Sequence, residues 1–288
     1  MEEIAHSRLH VINEFALKII GIILMTLDHI GVFMVMNNIE PVGTIFRCIG
    51  RIAFPLFILM LVEGARHTRS FSKYILRLGI VAAAISLAEA LIYYFIDQGI
   101  QIAYSPFNDL VLLALILYLI KRKDKFSWFV ILPISVIGLS FAVEIFENLN
   151  NSTVLWFPFY LRSGYSLYGL LLALGLWFAL PLSRKILGIS DSTKNLEGTA
   201  YHRSCLNIVM GFIVFLVVLA MFILEFSTGM QFYTNGKASV TWGFVSIIII
   251  LLYNGTRGYN KPWFKYGCYL YFPIHLVIIF TIFTLILG

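Results

Sequence analysis

The sequence predicts an all-α, polytopic integral membrane bundle, on three observations. Apolar residues make up 60% of the chain, charged residues only 12%, and the apolar ones fall in long runs separated by short polar connectors. Soluble domains carry about 45–50% apolar and about 25% charged residues, so a mean hydropathy of +0.88 excludes a soluble globular protein. At roughly 20 apolar residues per crossing, 288 residues hold about nine transmembrane helices and leave no room for a sizeable extramembrane domain. Residues 1–288 are therefore expected to form a single transmembrane domain that lies in the lipid bilayer.

The elements follow in order from the apolar runs and the Pro, Gly, Asn and charged residues that punctuate them. A polar N-terminal segment, 1–14, precedes the first helix at 15–36. No cleavable signal peptide is expected there: Glu2, Glu3 and Glu14 outnumber Arg8 before the helix, and Asp28 and His29 interrupt it. Helices are expected next at 43–64, 74–96 and 106–120, then at 126–146, 160–182 and 206–226, and finally at 239–253 and 264–286. The runs at 106–120 and 239–253 are short for a full crossing. Residues 183–204, with Ser190, Asp191, Ser192, Thr193 and Lys194, read as a flexible loop. Cys48, Cys205 and Cys268 show neither a C-x-x-C nor a metal-ligand spacing, so no disulfide framework and no metal site is expected.

The net charge of +6 is explained by topology and needs no nucleic-acid partner. Lys and Arg number three between Ala65 and Lys73, four in Lys121–Lys125, four in 183–204 and three from Asn254 to Lys265. The alternate connectors are nearly empty: none in 37–42 or 97–105, Arg162 alone in 147–162, Lys237 alone in 227–239. The positive-inside rule then sets the N-terminus in the cytoplasm and the C-terminus outside.

With that orientation, several ionisable residues project to the central-to-outer layer of the bilayer: His29, Arg47, Arg51, Glu89, Asp109 and His275. A charged side chain there costs roughly 2.5–3.5 kcal/mol on insertion scales, so such residues normally face a bundle interior and pair with one another. Arg47 and Arg51, four apart, share a helix face and can clamp one anion or two carboxylates. Asp28 and His29 are adjacent, hence about 100° apart around the helix, and do not form a dyad by spacing. Lys18 and His29 lie on one stripe, roughly 16 Å apart along the axis, so a long polyanionic ligand could set its phosphates near Lys18 and its reactive end near His29. Pro273 frees the carbonyl of Tyr269 and opens polar groups toward His275. The segment Tyr253–Lys261, with Asn254, Arg257 and Lys261 and its glycines, reads as a phosphate cradle beside the membrane, extended by Lys265. His6 and His10 lack a third ligand and read as solvated. Two function classes fit these charges: an enzyme acting on a polyanionic ligand with a reactive end, or a proton-coupled transporter with Arg, Glu and His as its relay.

Linked blocks add a resemblance. Leu17-Lys18-Ile19-Ile20-Gly21, Leu27-Asp28-His29-Ile30-Gly31, Arg47, Gly50-Arg51-Ile52-Ala53-Phe54-Pro55-Leu56-Phe57, Glu63-Gly64 and Arg66-His67-Thr68-Arg69 resemble the TraX family. Leu252-Tyr253-Asn254-Gly255-Thr256-Arg257-Gly258, Lys265-Tyr266 and Tyr271-Phe272-Pro273-Ile274-His275-Leu276 resemble its C-terminal signature, while the middle matches only around Tyr165–Gly169. The resemblance implies a bacterial inner-membrane acetyltransferase that acts on the N-terminus of pilin and is related to enzymes that O-acetylate envelope polysaccharides. Lys18 stands where the polysaccharide class carries Arg, which fits the TraX type. By the resemblance, acetyl-CoA is the acyl donor, held by Lys18, Asn254, Arg257, Lys261 and Lys265, and an exported protein or envelope glycan is the acceptor. His29 would be general base or transient acyl carrier, Arg47 or Arg51 would stabilise the oxyanion, and Glu89, Asp109 or His275 would orient His29.

Overall fold

The computed structural model describes residues 10–95, 106–122, 124–230 and 240–287. Among them the chain is helical with no strand; its one piece of extended pairing is a parallel bridge between Ile12 and Tyr253. The helices are α1 Glu14–Met36, α2 Val42–Gly50, α3 Ala53–His67, α4 Phe71–Phe95, α5 Pro106–Lys121, α6 Ile131–Asn150, α7 Ser166–Ile186, α8 Ala200–Thr228, α9 Ser246–Leu251 and α10 Pro262–Leu287. Short 3-10 turns at Ser127–Val130 and Val240–Val245 lead into α6 and α9.

All nine expected segments are helical, and among the described residues seven helices are long and apolar enough to cross a membrane, with α2 and α3 together making one of the seven. The difference is one of length. The 16 residues of α5 rise about 24 Å, against roughly 30 Å of hydrocarbon. The eighth expected helix is a 3-10 turn followed by six α-helical residues. The expected connector 97–105, residues 231–239 of the connector expected at 227–239, the N-terminal residues 1–9 with His6, and Lys123 lie outside the described residues.

Two local departures have clear causes. The span 42–67 breaks at Arg51–Ile52 because Pro55, third residue of α3, has no N–H for the carbonyl of Arg51 and its ring crowds that carbonyl. The loop expected at 183–204 is shorter and ordered. Helix α7 runs on to Ile186, Ser190 and Thr193 cap each other's backbone, and Thr199 caps α8 through the N–H of His202.

The chain divides into two compact units, one of residues up to Met60 together with Gly175 onward, the other Leu61–Leu174. In the first, α1 packs on α2 and on α10. The α1–α2 contact is close because glycines meet backbone. A Cβ on Gly31 would lie 2.8 Å from the Gly43 carbonyl, and one on Gly50 would run into Asp28. Small residues at such crossings are how membrane helices gain van der Waals contact in the absence of a hydrophobic drive between them. In the second unit α5 packs on α4 and α6, with Leu113, Ile116 and Leu117 buried.

Candidate functional site

Of the expected site residues, five gather within the first unit where α1, α2 and α10 meet. His29, fifteen residues past the start of α1, faces His275 of α10: His29 Nδ1 and His275 Nε2 are 2.9 Å apart. His275 Nδ1 lies 2.8 Å from the carbonyl of Tyr271. A carbonyl only accepts, so His275 carries its proton on Nδ1, which leaves Nε2 of the neutral ring as acceptor. His29 must then donate from Nδ1, and its Nε2 carries the lone pair. The ring of His275 is fixed further. Tyr271, one turn earlier, stacks on it at 4.9 Å and 5°. The Tyr271 hydroxyl is 2.7 Å from Thr26 Oγ1, and Thr26 donates to the carbonyl of Ile22. Phe272 sets its ring edge-on to both imidazoles.

Asp28 turns away from this pair, as the 100° step between neighbours requires. Its Oδ1 is 3.5 Å from Arg47 Nη1 and 3.6 Å from Arg51 Nη2, in reach of ion pairing but beyond an ordinary hydrogen bond. The two arginines, 4% and 6% exposed, thus share one carboxylate oxygen across the glycine-lined contact. Burying them is tolerable only with such partners.

The expected cofactor-binding residues lie at the other end of α1. Ile12 N–H donates to the Leu252 carbonyl (3.0 Å), Asn254 N–H to the Ile12 carbonyl (2.8 Å) and Glu14 N–H to the Thr256 carbonyl (2.8 Å). This bridge sets Asn254–Gly258 beside Asn13, the N-cap of α1. The side chain of Asn254 accepts from the N–H and hydroxyl of Thr256 and shapes the turn. Arg257 and Lys261 are exposed and Lys265 half-buried. Lys18 is not a bare cation: its Nζ donates to Glu14 at 2.6 Å. His10, read as solvated, reaches Ser204 Oγ at 3.4 Å.

Glu89 and Asp109 belong to the second unit. Asp109 accepts from the Ser163 hydroxyl and from the N–H groups of Gly164 and Tyr165, which anchors the chain entering α7. Glu89 is buried, and its Oε2 has no hydrogen-bond partner among the described residues. Also in this unit, Arg162 ties Glu147 and the carbonyls of Val154 and Phe157 together. The described residues bring together no group of three His, Cys, Asp or Glu able to hold a metal.

Comparison with known proteins adds to this geometry. The sequence model of the family described as TraX protein matches residues 14–185, more than half of the chain. The chain belongs to the TraX family. It is a multi-pass membrane protein of that family, and the match takes in Lys18, Asp28, His29, Arg47 and Arg51. The match runs through the middle, where the block resemblance was loose, and stops short of Tyr271 and His275. The chain is also similar to a probable fimbrial assembly protein, FimC of serogroup H1, from Dichelobacter nodosus. The two are 34% identical over 143 residues, covering 45% of this chain and 54% of that protein, so the chain spans about half the length of this relative. No solved structure matches. The TraX blocks leave out Thr26, and they include Tyr271 but gave it no role. The i, i+4 spacing of Tyr271 and His275, which puts them on one helix face, was the available signal for the second.

Proposed function

We propose that this TraX-family chain is an acetyl-CoA-dependent acyltransferase of the bacterial inner membrane. It would act on an amine or hydroxyl of an exported protein, such as the N-terminus of a pilin-like subunit, or of an envelope glycan. The observation that carries the reading is His29 Nε2, which bonds to no group among the described residues and is held in the base tautomer by His275. The fimbrial role in the relative's name supports an exported protein as acceptor. The connector charges support a cytoplasmic N-terminus, which sets the Asn254–Lys265 segment on the side where acyl-CoA is found.

The residues present fit a polyanionic donor. Arg257 and Lys261 offer exposed cations on a turn held by left-handed Gly255 and Gly258, and Lys18 joins them by exchanging Glu14 for a phosphate. When bound, acetyl-CoA supplies an activated acyl group and a thiolate that takes up a proton as it leaves. His29 Nε2 accepts the proton of the acceptor's amine or hydroxyl as the new bond forms, and returns it to the departing sulfur. His275 Nε2, already bonded to His29 Nδ1–H, steadies the imidazolium that His29 becomes. Arg47 and Arg51 supply positive charge one helix away, toward an oxyanion or an acceptor carboxylate. A transporter relay fits less well. The imidazole chain ends on the Tyr271 carbonyl, which accepts a hydrogen bond but cannot pass a proton on.

Protein in a neutral detergent, given radiolabelled acetyl-CoA and peptide or amine acceptors, tests this. Label should move to the acceptor, and His29→Ala should lower the rate by about 100-fold or more. Full activity in His29→Ala, or no transfer by wild type, would falsify the reading.

A further inference from the structure

We infer that Arg203 is a binding residue for a phosphoryl oxyanion, in a slot walled by Tyr253 and Gly255. By charge counting Arg203 is merely one more connector cation, but its surroundings are built. It lies in the first turn of α8 with Cζ 5.5 Å from the centre of the Tyr253 ring, which is itself buried. Gly255, at φ +74°, brings its backbone so near that any Cβ would run into the guanidinium. A left-handed residue is needed to make that turn, and a side chain there would displace the guanidinium.

The turn is pinned from two directions. Asn207, one helical turn after Arg203, donates from Nδ2 to the Tyr253 carbonyl at 2.6 Å, and Ile12 pairs with Leu252 and Asn254. Within this rigid frame Arg203 Nη1 is screened from solvent and has no hydrogen-bond partner among the described residues. A buried donor without an acceptor is rare in native proteins and marks a place where a ligand atom belongs. Guanidinium groups match the oxygens of phosphate better than any other side chain, and stacking on an aromatic face fixes the fork in advance. Exposed Arg257, two residues past Gly255, adds positive charge beside it.

Phosphoryl oxygens at this end of α1 can come from a soluble nucleotide-bearing donor or from a lipid headgroup. The first source rests on the acyltransferase reading; the slot itself does not. The full chain is placed in phosphatidylcholine nanodiscs, with or without phosphatidylglycerol. Binding of CoA and of spin-labelled phosphatidylglycerol is measured for wild type, Arg203→Lys, Arg203→Gln and Gly255→Ala, with Arg122→Ala, of the second unit, as a cation control. Arg203→Lys keeps the charge, so it guards against misfolding in the other two. We expect the three slot variants to weaken CoA binding by about tenfold or more, with Arg122→Ala unchanged. Loss confined to phosphatidylglycerol would assign the slot to a lipid headgroup. Wild-type affinity for both probes in Arg203→Lys and Arg203→Gln would overturn the inference. CoA bound through Arg203 without any acetyl transfer would sink the acyltransferase reading and leave the slot standing. Transfer, CoA affinity and phosphatidylglycerol affinity all untouched in Arg203→Gln would do the reverse.

Discussion

At the scale of single residues, the His29–His275 contact turns a common intramembrane polar group into a directed one. An isolated imidazole may carry its proton on either nitrogen; here the Tyr271 carbonyl decides for both rings. Removing His275 leaves His29 Nδ1–H without an acceptor, at a cost of about 1–3 kcal/mol, and frees the wrong tautomer. In the acetyl-transfer assay His275→Ala should therefore lose on the order of 10-fold to 100-fold in turnover. His29→Ala with His275→Ala should be no worse than His29→Ala alone, because the two act as a unit. Additive losses would show that His275 acts elsewhere. Membrane depth alone brought out both histidines, and the i, i+4 spacing of Arg47 and Arg51 anticipated that they face one way. Which acid or base meets which could not be read, because a sequence gives depth along a helix but not the rotation that packing imposes. Asp28 shows this: adjacent to His29 in sequence, it serves the arginines instead.

At the scale of elements, the site depends on how near α1 and α2 approach. Gly50→Ala would force its methyl into the backbone and Cβ of Asp28, and Gly31→Ala would meet the backbone of Gly43 and Arg47. Neither obstacle is a flexible side-chain end, so each substitution should lower stability by about 1–3 kcal/mol and shift Asp28 relative to its arginines. Gly79→Ala in α4 and Gly138→Ala in α6 meet nothing within 4 Å and should raise helix stability by up to about 1 kcal/mol. Thermal unfolding of the four variants in detergent checks this; equal midpoints would refute the packing argument. Helix existence was legible for every element, since long apolar runs leave little choice. The break at Arg51–Ile52 was legible too in principle, through Pro55. The 3-10 start of the segment at 240–251 was not, because an apolar run has the same composition in either helix type.

At the scale of the whole molecule, what the sequence states most openly is sidedness. The basic connectors alternate with nearly uncharged ones, and the proposed site for acyl-CoA depends on that alternation. Cysteine labelling tests it in a background with Cys48, Cys205 and Cys268 replaced. Ser152→Cys, exposed after α6, should react with a membrane-impermeant maleimide on intact cells, and Ser190→Cys only after permeabilisation. The opposite pattern would put Arg257 and Lys261 outside and remove the donor from reach. The imidazole pair also carries a consequence for biosynthesis. Its two members are separated by 246 residues, one in α1 and one in α10. During translation His29 enters the membrane long before its partner exists, and every intervening helix must be inserted before the pair can close. Unfinished chains therefore carry an unpaired, undirected histidine, and the pair can close only once α10 has been delivered.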